Sequence, residues 1–147
     1  MRTRARFLPV VMLVAVVAAA CGGDDGGSGS SVSTIDPAAN LPEVPDSEFV
    51  DMTGTPEVLI EAKDNKFEPQ FVTVSPGTEV TFENKGRNPH NVIPVVDDQF
   101  EAVPTDEFQS GDTAVITFDD AGFFPYYCSL HGTPSAGMDG RIRVEQG

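Results

Sequence analysis

The chain has 147 residues, with 9 Lys and Arg against 23 Asp and Glu for a formal charge of −14, a length that fits one domain and short terminal segments. So acidic a chain lacks the basic footprint that displaces counterions from phosphates, which argues against nucleic acid as a partner. With two His, two Cys, four Met and no Trp, any metal site has almost no choice of soft donors.

Residues 1–20 read as a signal peptide: Arg2, Arg4 and Arg6 precede an uncharged apolar run from Phe7 to Ala20, shorter than the roughly 20 residues of a membrane span. The residues before Cys21 (Val17, Ala18, Ala19, Ala20) resemble a bacterial lipobox, in which the Cys becomes the lipidated first residue, although Ala18 stands where Leu is more usual. The expectation is an extracytoplasmic protein anchored to the cell membrane through lipid on Cys21, with plain secretion by cleavage at the Ala run as the alternative. Removing residues 1–20 leaves six basic against 23 acidic residues, a charge of −17. Residues 22–33 (GGDDGGSGSSVS) cannot bury enough apolar surface to offset the entropy of ordering. Residues 34–56 are stiffer, with Pro37, Pro42, Pro45 and Pro56 and isolated Leu41, Val44, Phe49 and Val50. Residues 21–56 therefore read as a lipidated Cys and a tether, with docking of its second half on the domain left open.

From residue 57 to 147 the pattern changes to short β-prone runs: Val58–Ala62, Phe71–Val74, Glu79–Asn84, Asn91–Val96, Ala114–Phe118, Phe123–Cys128 and Arg141–Glu145. Ser75-Pro76-Gly77, Asn84-Lys85-Gly86, Ser110-Gly111-Asp112 and Asp119-Asp120-Ala121-Gly122 supply turns. Phe100–Phe108 reads as one turn of helix or an irregular loop. Val80 and Phe82 share one face against Thr81 and Glu83, and Ala114, Ile116 and Phe118 alternate with Val115 and Thr117, the period of half-buried strands. Such spacing predicts an all-β Greek-key sandwich or barrel of seven to eight strands. Eight of the ten Phe fall in this domain, and a hydrophobic core rather than a disulfide must hold it.

The last third holds Tyr127-Cys128-Ser129-Leu130-His131 and then Gly137-Met138-Asp139-Gly140, while the other His lies upstream in Asn88-Pro89-His90-Asn91-Val92. One thiolate, two imidazoles and a thioether are the donors of a blue-copper site, in which two His and a Cys bind trigonally and Met sits at a long axial distance. Taken singly, His90 reads as a loop histidine, Cys128 as a small core residue, His131 as a surface residue and Met138 as core filling. Period two puts Phe124, Tyr126 and Cys128 on one face, which aims the thiol inward, and Phe123, Pro125 and Tyr127 on the other.

The two motifs, in this order, resemble the cupredoxins and most closely their plastocyanin-like branch. Gly122, Phe124, Tyr126, Tyr127, Cys128, His131, Gly137, Met138 and Gly140 occupy the places of that family's C-terminal pattern. Pro76-Gly77, Val80-Thr81-Phe82, Asn84 and Pro89-His90-Asn91-Val92 match its upstream turn, strand and His motif. The resemblance spans roughly Val58 to Val144 and implies one type 1 copper held by His90, Cys128, His131 and Met138. It also implies an electron relay at exposed Tyr127. Asn91 is placed to hydrogen-bond across to the backbone near Cys128 and Ser129 and to tie the ligand loops together. Six residues separate His131 from Met138, against four in the family's short version, which bears on the axial bond above all.

The function expected is a monomeric, membrane-tethered electron carrier cycling Cu(II)/Cu(I) between redox protein partners, and not an enzyme. The alternative is an envelope copper-binding or delivery protein without electron-transfer turnover; such proteins offer exposed Met- or His-rich segments, which this chain lacks. Cys128 and His131 are too close along an extended loop for a nucleophilic pair, and no orienting third residue is evident. Multicopper chemistry needs more His than two. Acidic groups at Asp97-Asp98-Glu101, Asp106-Glu107 and Asp119-Asp120 serve either partner steering or solubility and salt adaptation.

Overall fold

Runs of alternating apolar residues build two sheets in the computed structural model, which describes residues 37–147. The expected signal segment, Cys21 and the Gly/Ser stretch that follows lie outside the described residues. In chain order the strands are β1 (Val50–Asp51), β2 (Glu57–Lys63), β3 (Lys66–Glu68), β4 (Phe71–Val74), β5 (Thr78–Asn84), β6 (Ile93–Pro94), β7 (Thr113–Phe118), β8 (Gly122–Thr133) and β9 (Ala136–Val144). One sheet runs β1-β4-β9-β8-β6 and the other β3-β2-β5-β7. β1/β4, β4/β9 and β2/β5 pair in parallel and the remaining neighbours antiparallel. This is the all-β sandwich that the spacing of the runs predicts.

The core lies between the sheets. Val58, Ile60 and Ala62 of β2, Val80 and Phe82 of β5, and Ile116 and Phe118 of β7 share one buried cluster with Val72 and Val74 of β4, Tyr126 and Cys128 of β8, and Met138, Ile142 and Val144 of β9. These are alternate residues of their strands, because successive side chains leave a strand on opposite faces. Phe67, Phe82 and Tyr126 meet edge to face, with centroids 6.1, 4.9 and 5.3 Å apart. Burying one such side chain contributes about 1.5–3 kcal/mol, and Cys128 is a free thiol, so packing holds the domain.

Eight strands, β2 to β9, form within residues 57–147, inside the expected seven to eight, and among the described residues β1 adds a ninth from the segment before them. β1 and β3 were too short to show a period: β3 offers a single buried residue, Phe67. The run Asn91–Val96 contributes only Ile93–Pro94 to a sheet, with Val92 bridging Val103 separately, because Pro94 has no N–H to extend a ladder. β8 continues beyond Cys128 to Thr133, and β9 begins at Ala136 rather than Arg141. The two extra residues between His131 and Met138 are thus absorbed in a hairpin, where Gly132 pairs with Gly137 and Thr133 with Ala136. In the stretch from Phe100 to Phe108 the only helical turn is a 3₁₀ turn at Thr105–Glu107.

The Pro-containing segment before residue 57 packs on the outer face of the five-stranded sheet. β1 aligns Val50 with Val72 and Asp51 with Thr73. Phe49 lies 5.7 Å from the Phe71 ring, and Arg143 stacks its guanidinium 4.0 Å over Phe49 while reaching Asp46 at 3.0 Å.

Candidate metal centre

His90 is placed by a loop that β5 launches. Asn84, the last residue of β5, falls on the buried face with Val80 and Phe82. Its side-chain amide donates to the carbonyls of Asn88 and Phe108 at 3.0 Å each, and its oxygen accepts from the Gly86 amide at 2.9 Å. The His90 amide donates to the same Phe108 carbonyl at 3.1 Å. Gly86 packs against the far side of the imidazole: a Cβ there would stand 2.8 Å from His90 Nε2. Packing therefore turns Nδ1 inward, while buried Nε2 has no hydrogen-bond partner among the described residues.

Cys128 and His131 come from β8, and Met138 from β9, through one irregularity in their ladder. Tyr127 pairs with Asp139 and the next paired residues are Gly132 and Gly137. Cys128, Ser129, Leu130 and His131 therefore bulge out opposite Met138 alone. A bulge bends its strand and re-aims side chains, which here turns Cys128 and His131 toward His90.

The three donor atoms form a small triangle. His90 Nδ1 and His131 Nδ1 are 3.1 Å apart, and Cys128 Sγ lies 3.7 Å from the first and 3.5 Å from the second. A point equidistant from all three lies about 2 Å from each, the length of a transition-metal–imidazole bond. No other group of three or more His, Cys, Asp or Glu side chains among the described residues has this geometry. His90 and Cys128 are fully buried and His131 is half-buried, so one imidazole edge alone meets solvent. Burial, and then the neighbouring His131, hold His90 below the usual imidazole pKa against an opposing pull from Asp64. A neutral imidazole keeps the lone pair that a metal needs.

Met138 is fully buried in the same core cluster as Cys128. Asn91 joins the two ligand segments: its oxygen accepts from the Ser129 amide at 2.8 Å, and its amide donates to Ser129 Oγ at 2.8 Å and Thr105 Oγ1 at 3.2 Å. Tyr127 is half-buried rather than exposed and pairs with Ile93 and Asp139. Cys21 lies outside the described residues.

Two buried polar groups near the ligand segments escaped the sequence reading. Asn84 was legible in principle, as a polar residue continuing the buried period of Val80 and Phe82. The buried ion pair between Asp139 and Arg141 (2.8 Å) left no signal, because charges in a strand read as solvent-facing.

Fold and donor set together define a β-sandwich protein built around one transition-metal ion. Residues 56–145 match the family of copper binding proteins described as plastocyanin/azurin, and the chain belongs to that family. It is 33% identical over 99 residues to plastocyanin of Solanum crispum, covering 60% of this chain and 98% of that one. Over 107 residues it is 38% identical to halocyanin of Natronomonas pharaonis, covering 68% of this chain and 63% of the relative. Among solved structures, the reduced state of the amicyanin mutant P94F is similar, at 29% identity and a TM-score of 0.51 over 60% of this chain and 82% of that one. The two imidazoles and the thiolate suit one type 1 copper ion.

Proposed function

We propose that this protein is a one-electron carrier of the bacterial cell envelope, in which His90, Cys128, His131 and Met138 would hold one copper ion. The triangle of Nδ1, Nδ1 and Sγ carries this reading. Copper supplies the one-electron Cu(II)/Cu(I) couple when bound. The protein's part is to hold soft sulfur beside two imidazoles, a set that serves both oxidation states. Asn91 fixes Ser129, and with it the backbone next to the sulfur, so the donors stay in place as charge changes. Leu130, 52% exposed, stands beside the half-buried His131, and this imidazole edge is the path for the electron to a redox protein partner.

Burial of two donors disfavours release of metal to a recipient and so favours carriage over delivery. No step of substrate chemistry is assigned to the chain. Placement in the envelope rests on the signal-like residues 1–20 and Cys21; Cys21→Ala should move the protein from the membrane to the soluble fraction, and unchanged membrane retention would count against a lipid anchor.

The test of function is the optical and paramagnetic-resonance spectrum of the oxidised, copper-loaded protein. An intense thiolate-to-copper band in the visible, lost in Cys128→Ser, is expected together with reversible one-electron reduction. Copper binding without thiolate charge transfer would overturn the assignment.

A further inference from the structure

Arg141 is 1% exposed and lies three residues after Met138 on β9. Its Nη1 contacts Asp139 Oδ2 at 2.8 Å and the Gly140 carbonyl at 3.0 Å, and its Nη2 donates to the Pro134 carbonyl at 3.2 Å. Asp139 also accepts from Gln70 Nε2 at 3.4 Å, and the guanidinium sits 5.9 Å from the centre of the Phe71 ring.

The contact with Pro134 decides what this arrangement does. Along a straight strand residue 134 would lie about 20 Å from residue 141, well beyond the reach of an arginine side chain. The ladder must therefore fold back beyond the bulge, bringing the hairpin tip onto the outer face of the five-stranded sheet, where Arg141 receives it. That tip, Thr133–Ala136, lies between His131 and Met138, and it contains the residues by which this ligand loop exceeds the shorter form. Buried ion pairs are poor sources of net stability but can select one register over another. A guanidinium suits the task, since its planar fork spans several acceptors that one ammonium cannot reach.

We infer that Arg141, oriented by Asp139, is a positioning residue for the copper site: it pins the folded-back hairpin and thereby fixes Met138 relative to Cys128 and His131. This inference rests on the copper reading above and adds to it a device for placing Met138 in a lengthened ligand loop.

The experiment compares the full chain with Arg141→Lys, Arg141→Met and Asp139→Asn. In the metal-free protein, amide exchange at Ala136 and Gly137 and the methyl resonance of ¹³C-labelled Met138 report the hairpin directly. Exchange at least tenfold faster than in the parent, with a shifted or broadened Met138 methyl, is expected in Arg141→Met, and a partial effect in Arg141→Lys, while the β2 and β5 amides stay protected. In the copper-loaded variants the reduction potential should rise and the paramagnetic-resonance parameters change, with the thiolate band retained. A hairpin, Met138 methyl and potential unchanged in both Arg141 variants would overturn the inference while leaving the copper reading intact. Loss of protection across β2 and β5 as well would show a merely structural role and also overturn it. Absence of a thiolate band in the parent protein would instead strike the copper reading itself.

Discussion

Asn91 and Ser129 grip each other through two hydrogen bonds of 2.8 Å, one to the backbone amide and one to the hydroxyl. The residues that follow His90 and Cys128 are thus locked as a pair, and the two ligand segments cannot separate without breaking both bonds. In Asn91→Ala the Ser129 amide, in an exposed residue, loses a part-buried bond, which costs about 0.5–1.5 kcal/mol. Denaturant melts of the metal-free protein should show that loss, and copper should dissociate faster than from the parent. Parent-like values for both would mean that the ligand segments are held by other contacts.

Met138 is the single β9 residue facing the bulge that carries Cys128 and His131. Met138→Leu keeps an apolar side chain of similar volume, a change that cores tolerate for less than about 1.5 kcal/mol, and removes the thioether. The visible band should persist and the reduction potential should rise, because Cu(I) is stable with three donors whereas Cu(II) is disfavoured by the loss of a fourth. An unchanged potential in voltammetry would assign the axial place to another group or to none.

Tyr126 is buried with its hydroxyl lacking a hydrogen-bond partner among the described residues. Burial pushes its phenol well above the ordinary value, with Asp139 adding to the shift and Arg141 opposing it. The unfolded phenol ionises near pH 10, as an unperturbed tyrosine does, while the folded one keeps its proton. Alkali therefore favours unfolding, by about 1.4 kcal/mol for each pH unit above 10. Tyr126→Phe removes that dependence along with an unpaired polar group. It should match or exceed the parent's stability by about 1 kcal/mol at pH 7 and lose less above pH 10. A variant less stable than the parent at pH 7 would show that the hydroxyl is satisfied in solution.

Arg143 ties the N-terminal segment to the sheet through Phe49 and Asp46. A stacked guanidinium at a partly exposed place contributes about 0.5–1 kcal/mol, so Arg143→Ala should leave the fold and the copper spectrum untouched. Exchange of the Met52 amide, which donates to the Thr73 carbonyl at 2.8 Å, should quicken severalfold. A changed spectrum would show that the contacts from Phe49 through Phe71 to Arg141 carry the disturbance on to the ligand hairpin.

The strands with a sustained period, β2, β5 and β7, could be read from the chain because each buries every second residue. β1 and β3 could not, since pairing with a neighbour, not their own composition, makes them strands. Cys128 and His131 were legible from local spacing. His90, 38 positions before Cys128, has no local signature that sets it apart from a loop histidine; only the order of two motifs pointed to it. The hairpin's return onto Arg141 depends on a bend at the bulge, a three-dimensional feature that alternation does not encode.

The anchorage of His90 also orders events in time. Phe108 accepts both the His90 amide and the Asn84 side chain, so His90 reaches its place only after the long connection between β5 and β7 has closed. Cys128, His131 and Met138 share one hairpin and need only local pairing. Long-range closures are the slow part of folding, so a chain refolding with copper present should colour together with its last structural phase, a spectroscopic signal of completed folding. Stopped-flow absorbance set beside pulsed amide exchange can check this order; colour that precedes protection of the β5 amides would contradict it.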